Sequence, residues 1–323
     1  MAQRYISNQG KCLVLSVNRR LLHIGMPRTA STFFQNEVFP NLGDFKHLGV
    51  NETHHSEPFQ RLMYQDESRY NGSAIGESLS TSIKENLIIS NELFVGQSLF
   101  MASTNRTRNA QRLKQLYPDA EVILFFRNQA DLLESLYSIG VYSGHNAKPE
   151  EYIRFDNEPS ETNNPLYPTF TSVEQTEQYF YSTLLKVYQG LFEKVHVFLY
   201  EDFTANPVAF IEQFCDRLDV TLTVNIDFDK RTNSSLSARQ LEYLRKTNSL
   251  KEFFERSGAG KRIFRKNIQA IEHRLGGKSK FQFAPALRKK IKDHFREDNT
   301  SLIDAIPQVC DSENFKKYYT NQI

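Results

Sequence analysis

The run Val122-Ile123-Leu124-Phe125-Phe126 constrains this chain more than any other stretch. Five consecutive apolar residues, mostly β-branched or aromatic, lie between the turn pair Pro118-Asp119 and the polar pair Arg127-Asn128. A strand without polar alternation is buried on both faces, which is the pattern of a parallel sheet covered by helices on each side. Shorter apolar runs recur at residues 21–24, 87–90 and 195–200, and a weaker one at 45–50. Between them, residues 106–117, 130–142, 179–188 and 207–214 carry the spacing of amphipathic helices. Leu133, Leu136, Tyr137 and Val141 lie on one helical face and Ser135 on another. The alternation predicts an α/β fold with a twisted parallel sheet flanked by helices. In such sheets ligands gather beyond the carboxyl ends of the strands. Arg127, the pair Asn91-Glu92 and the turn after Ile24 are all delivered to that edge.

Residues 21–39, LLHIGMPRTASTFFQNEVF, read as a short strand, a tight polar turn and a helix that stops at Pro40. Ser31 and Thr32 stand where a helix N-terminus favours side-chain oxygens. Backbone N–H groups at such a turn, with the positive end of the helix dipole, make an anion site. Against the triphosphate pattern G-x-x-x-x-G-K-[ST], the segment Gly25 to Thr32 has the right length, but Ala30 replaces the second Gly and Ser31 the Lys. The cation stands earlier, at Arg28. That argues against triphosphate chemistry while keeping a phosphate or sulfate cradle.

Arg127 and Ser135 form a second landmark. A guanidinium at a strand end can fork onto phosphate oxygens, and a hydroxyl two helical turns along can donate another hydrogen bond. A salt bridge from Arg127 to Asp131 is the competing use of that arginine. PRTAST and RNQADLLESLYS together resemble bacterial members of the sulfotransferase family that uses 3′-phosphoadenosine 5′-phosphosulfate (PAPS). The resemblance extends from Leu21 to about Leu302. It implies a P-loop-NTPase-like sulfotransferase fold, with PAPS as cosubstrate and 3′,5′-adenosine bisphosphate as product. The sulfuryl group would pass to an acceptor hydroxyl, by analogy one on a glycan or its precursor, without a metal. Arg28, Thr29, Ala30, Ser31 and Thr32 would hold the 5′-phosphosulfate, and Arg127 and Ser135 the 3′-phosphate. Gly277 and Lys278, in the loop GGKSK, would close over the nucleotide. Many members carry Lys where this chain has Arg28, so electrostatic stabilisation of the leaving group is expected in place of its protonation. Glu92 leads the candidates for the base that takes the acceptor proton, followed by His54 and His55. His23, inside a strand, reads as packed core.

The remaining sequence bounds these readings. Residues 1–20 read as an N-terminal extension and 21–323 as one α/β domain. Residues 228–323 form its basic, mostly helical C-terminal part, and 228–292 hold 18 Lys and Arg against 5 Asp and Glu. That asymmetry suits an anionic ligand or a solvated surface; no recognisable nucleic-acid motif accompanies it. No apolar stretch reaches a membrane span or a secretory leader, so a cytoplasmic protein is expected, with peripheral membrane contact left open. Cys12, Cys215 and Cys310 are few, distant and without metal-ligand spacing, as packed thiols would be. Residues 51–76 lack clear periodicity and are expected to form a loop beside the acceptor. Glu201-Asp202, at a strand-to-helix turn, reads as a backbone cap more than a catalytic pair. Two further classes remain: a P-loop kinase, and a non-catalytic nucleotide- or glycan-binding protein of the same fold.

Overall fold

The computed structural model describes residues 5–6, 12–13, 18–80, 85–96, 105–155, 174–228, 236–255 and 280–320. After the small antiparallel pair β1 (Tyr5–Ile6) and β2 (Cys12–Leu13), five strands build the central sheet. These are β3 (Arg20–His23), β4 (Phe45–Leu48), β5 (Asn86–Ser90), β6 (Glu121–Phe126) and β9 (Lys194–Leu199). Their order is β4-β5-β3-β6-β9 and every pairing is parallel. A second parallel pair, β7 (Ile153–Arg154) with β8 (Glu174–Gln175), stands apart.

The sheet divides the core into two layers, and that is why β6 needs no polar alternation. Val122, Leu124 and Phe126 face one layer with Leu22, Ile24, Leu87 and Ile89; Ile123 and Phe125 face the other with Leu21, Ile88 and Phe198. Over the first layer lie α5 (Arg106–Leu116), α6 (Gln129–Tyr142) and α8 (Tyr181–Leu191). Over the second lie α1 (Ser31–Phe33) and α10 (Pro207–Leu218). Phe34 stacks near Phe125, with ring centroids 4.6 Å apart, and Phe214 closes on both. Each such buried ring is worth roughly 1.5 to 3 kcal/mol, so the aromatics carry much of this layer.

Residues 51–76 are mostly helical, contrary to the loop expected. They form α2 (Val50–His54), α3 (Glu57–Tyr64), a 3₁₀ turn (Glu67–Arg69) and the start of α4 (Gly72–Ser80). Only Phe59, Leu62 and Met63 of α3 are buried, which is too short a stripe to stand out in the sequence. Stability comes from outside the segment. Arg112 of α5 donates to the carbonyls of Leu62 and Gln65, both at 2.9 Å, Arg108 donates to that of Met63 at 3.1 Å, and the Arg112 guanidinium lies over the Tyr70 ring. Two arginines thus cap the carbonyl end of α3 from another helix.

The remaining helices are α7 (Pro149–Tyr152), α9 (Tyr200–Ala205), α11 (Ala238–Glu255), α12 (Pro285–His294) and α13 (Arg296–Ala305). Short turns at Pro307–Cys310 and Glu313–Phe315 and a π turn (Lys316–Thr320) follow. The expected cap of α10 is present, with Asn206 Oδ1 accepting from the Ala209 N–H at 3.2 Å. Of the cysteines, Cys215 is half-buried and Cys310 buried, and both are free thiols. Among the described residues no helix is long and apolar enough to cross a membrane.

At the amino edge of the sheet Glu121 collects three basic side chains: Arg19 at 3.0 Å, Lys194 at 3.4 Å and the ring of His196, in hydrogen-bond contact at 3.0 Å. Burial alone would raise its pKa, but His196, Arg19 and Lys194 outweigh that and hold the carboxyl down at about 2. A depressed carboxyl contributes stability above its unfolded value, lost as pH falls from about 4.5 toward 2. Glu121→Gln should cost about 1 to 2 kcal/mol at neutral pH, after allowance for solvent screening, and almost nothing at pH 2. Urea unfolding of both proteins across that range checks it.

Candidate functional site

The loop after β3 owes its shape to four backbone facts. Gly25 has φ of +93°, and a Cβ there would lie 2.8 Å from the Cα of Glu92. Only glycine lets this chain pass beneath the 3₁₀ turn Glu92–Val95 that follows β5. Arg28 and Ala30 then adopt left-handed φ angles of 66° and 65°. Left-handed residues alternating with ordinary ones turn successive N–H groups into a concave nest for an anion. The strain is of the kind that functional loops hold.

The hydroxyls serve this loop differently from the helix caps expected of them. Thr29 Oγ1 donates to the Met26 carbonyl at 2.6 Å and Ser31 Oγ to the same oxygen at 3.3 Å. The helix begins at Ala30 without a side-chain cap, and Thr32 is exposed. After one α turn the helix widens into a π turn over Phe34–Val38, an irregularity often found at functional sites. Gln35, in that turn, donates to Ser90 Oγ at 2.9 Å, and Ser90 also meets His23 Nδ1 at 2.7 Å. His23 is buried as expected. Burial, with His47 close by, pushes its ring down to about 3, so it stays neutral.

Strand order brings the two landmarks together. β3 lies between β5 and β6, so the loop sits between Glu92 and Arg127. Arg127 Nη1 donates to the Arg28 carbonyl at 2.8 Å, and Arg28 Nε donates to Ser135 Oγ at 2.9 Å. Asp131, the alternative partner for Arg127, is instead 2.7 Å from Arg288, which also holds Glu134 at 2.5 Å. Burial and the neighbouring Arg127 lower the Arg28 pKa, while Glu92 and Tyr200 oppose that. Burial raises the Glu92 carboxyl above the usual range, against a hydrogen bond from Ser31 and the charge of Arg28. Arg28, Ser31, Glu92, Arg127 and Ser135 therefore occupy one place.

His54 ends α2 and His55 caps it, and their rings meet edge to face with centroids 5.3 Å apart. Among the described residues neither hydrogen-bonds to that group. The link is indirect: Asn91 Nδ2 donates to Thr53 Oγ1 at 2.9 Å. Gly277 and Lys278 lie outside the described residues. Lys280, two positions on, is described, and burial lowers its ammonium pKa, followed by the charge of Arg127, with Arg28 a smaller influence. Lys280 ends the GGKSK loop expected to close over the nucleotide, and Tyr200 is the neighbour that sequence reading missed. The Tyr200 ring lies under the Arg127 guanidinium at 4.5 Å. Its position directly after the apolar strand β9 is the available sequence signal. Glu201 and Asp202 are engaged structurally, Glu201 by the Asn128 N–H at 2.8 Å and Asp202 by Asn314 at 2.7 Å. A cavity of about 620 Å³ beside α10, lined by residues such as Ile211, Ile226 and Phe228, includes none of these charged groups.

The left-handed Ala30 gives a direct test of the loop. An L-residue there costs roughly 1 to 2 kcal/mol, and the extra unfolded-state freedom of glycine offsets about 0.4 to 1 of any relief. Ala30→Gly should therefore raise stability by about 0.5 to 1 kcal/mol in urea unfolding, and Ala30→Val should lower it.

Comparison with known proteins adds a family. No curated protein matches the chain. A solved sulfotransferase from Alicyclobacillus acidocaldarius superposes with a TM-score of 0.53 at 14% identity, over 93% of this chain and 99% of that one. At that identity the likeness shows the fold, the P-loop-like arrangement of a sulfotransferase. The sulfotransferase domain family matches residues 98–307, a stretch that begins after the loop and includes Arg127 and Ser135. Covering well over half of the 323 residues, that match places the chain in the sulfotransferase family.

Proposed function

We propose that this protein transfers a sulfuryl group from PAPS to an acceptor hydroxyl, on a carbohydrate or glycan precursor. The observation that carries the reading is the joining of Arg28, Glu92, Arg127 and Ser135 around a loop with left-handed residues at 28 and 30. A nest of amides suits the 5′-phosphosulfate. Arg127 and Ser135 suit the 3′-phosphate, since one supplies a guanidinium fork and the other a hydroxyl. The carbohydrate acceptor rests on the resemblance to bacterial members alone.

In this reading the acceptor oxygen attacks sulfur as the bond from sulfur to the bridging oxygen breaks. Glu92 takes the acceptor proton, and its raised pKa brings it nearer to the hydroxyl it must deprotonate. Arg28 meets the negative charge that grows on the departing phosphate oxygen. The products are the sulfate ester and 3′,5′-adenosine bisphosphate. Thr29 and Ser31 keep the loop in shape through Met26, and Thr32 is the exposed hydroxyl beside it. His54 and His55 would serve only from the acceptor side.

Calorimetric titration with 3′,5′-adenosine bisphosphate and with ATP, without Mg²⁺, tests the donor. The bisphosphate should bind preferentially, and Arg127→Ala, checked for an intact melt, should lose about 1.5 to 3 kcal/mol. Stronger binding of ATP, indifferent to Arg127, would return the kinase reading. Bisphosphate binding with no turnover on any hydroxyl acceptor would favour a binding protein. Arg28→Ala should slow turnover by on the order of 10²- to 10³-fold with fold retained. Glu92→Gln should cost roughly 10²- to 10⁴-fold. Because the ionised carboxylate is the base, the wild-type rate should rise with pH through a pKa above the ordinary glutamate value, and Glu92→Gln should abolish that limb.

A further inference from the structure

The peptide that carries Arg127 is held from behind by side chains of four distant segments. Tyr181 of α8 donates its hydroxyl to the Arg127 carbonyl at 2.6 Å, and its ring lies flat on Phe126 at 4.2 Å. Glu201 of α9 accepts from the Asn128 N–H at 2.8 Å. Asn128 donates in turn to the Tyr318 carbonyl, and Gln129 exchanges hydrogen bonds with Asn299 of α13 at 2.8 and 3.2 Å. Tyr319 closes the ring by donating its hydroxyl to the second Glu201 oxygen at 3.0 Å.

All of these groups are buried or nearly so, with Tyr181 at 0% exposure and Glu201 at 5%. Each hydrogen bond nets only about 0.5 to 1.5 kcal/mol, and a half-satisfied buried network is worse than an apolar one. Stability alone is a weak reason for such an arrangement, and its location supplies a better one. Glu201 is adjacent to Tyr200, the ring under the Arg127 guanidinium, and Asn128 caps α6, the helix that brings Ser135. The network touches the backbone on both sides of the candidate anion site and no reacting group.

We propose that Glu201 and Tyr319, together with Tyr181, are positioning residues that fix the Arg127 guanidinium and the Tyr200 ring for anion binding. The final turn of the chain thereby becomes a working part of the donor site. This inference rests on the donor reading above for its ligand, but not for its geometry. Tyr319→Phe removes one hydroxyl and keeps the stacking of that ring on Phe315, 4.9 Å away.

The test titrates 3′,5′-adenosine bisphosphate into the full-length protein and into Tyr319→Phe, Glu201→Gln and Asn314→Ala. Melting curves establish that each variant is folded. Tyr319→Phe and Glu201→Gln should each weaken binding about tenfold. Asn314→Ala, which cuts only the tie to Asp202, should stay within about twofold. In an Arg127→Lys background the effect of Tyr319→Phe should nearly vanish, since lysine has no planar fork to aim. An undiminished tenfold loss in that background, or an equal loss from Asn314→Ala, would overturn the proposal in favour of general tethering. If the wild type binds no bisphosphate, the donor reading fails by itself. The positioning claim is then decided by the nitrogen-15 resonance of Arg127 Nε, which should shift or broaden in Tyr319→Phe. An unchanged resonance would overturn it.

Discussion

The hydrogen bond from the Arg127 guanidinium to the Arg28 carbonyl, with that from Arg28 to Ser135, joins two segments about a hundred residues apart. It does so against electrostatics, because it brings two guanidinium groups into mutual repulsion, with the Lys280 ammonium also nearby. Asp131 and Glu134, the carboxylates that could compensate, are taken up by Arg288. Glu92 is an acidic neighbour of Arg28, and burial raises its carboxyl above the ordinary range. A place where cations are assembled faster than anions is one whose energy falls when a multiply charged anion arrives. The dipoles and charges are already oriented, so little reorganisation remains for the binding event.

The rest of the fold makes that concentration of charge tolerable. Parallel strands in the order β4-β5-β3-β6-β9 deliver three successive turns to one edge, and the aromatic layer beneath α1 keeps the floor rigid. Glu121 and its basic partners occupy the opposite edge of the same sheet. The chain thus separates an ion cluster that stabilises from the one proposed to bind the donor, and the two lie at the two ends of β6. Membership of the sulfotransferase family accords with this division, since the matched region carries the second landmark and the fold supplies the first.

Much of this was legible in the sequence, because it depended on local patterns. Val122 to Phe126 could be little other than a doubly buried strand, and PRTAST marked a tight turn between a strand and a helix. Ser135 was separated from the core face of α6 by helical spacing alone. What escaped had non-local causes. The helices of residues 51–76 depend on Arg108 and Arg112 from α5 for their carbonyl caps, so their own residues show no clear period. Left-handed backbone at Arg28 and Ala30 follows from packing, since neither residue type favours it. Tyr200 joins the site through a tertiary contact with Arg127 that no spacing rule encodes. The roles given to His54 and His55 came from residue type, and the structure offers them no hydrogen bond to the charged group.

The gap at Gly25 has a consequence for how such a protein can change. The backbone of the Glu92 turn rests directly on that glycine, with no side chain between them. The loop proposed to hold the anion and the turn that carries Glu92 are therefore in direct backbone contact. Neither can drift without moving the other. A change of shape is more easily taken up by elements farther out, such as α3, whose carbonyl end is capped from another helix. The inner geometry can change only as one unit, while the outer helices α2 and α3 are tied to it less directly.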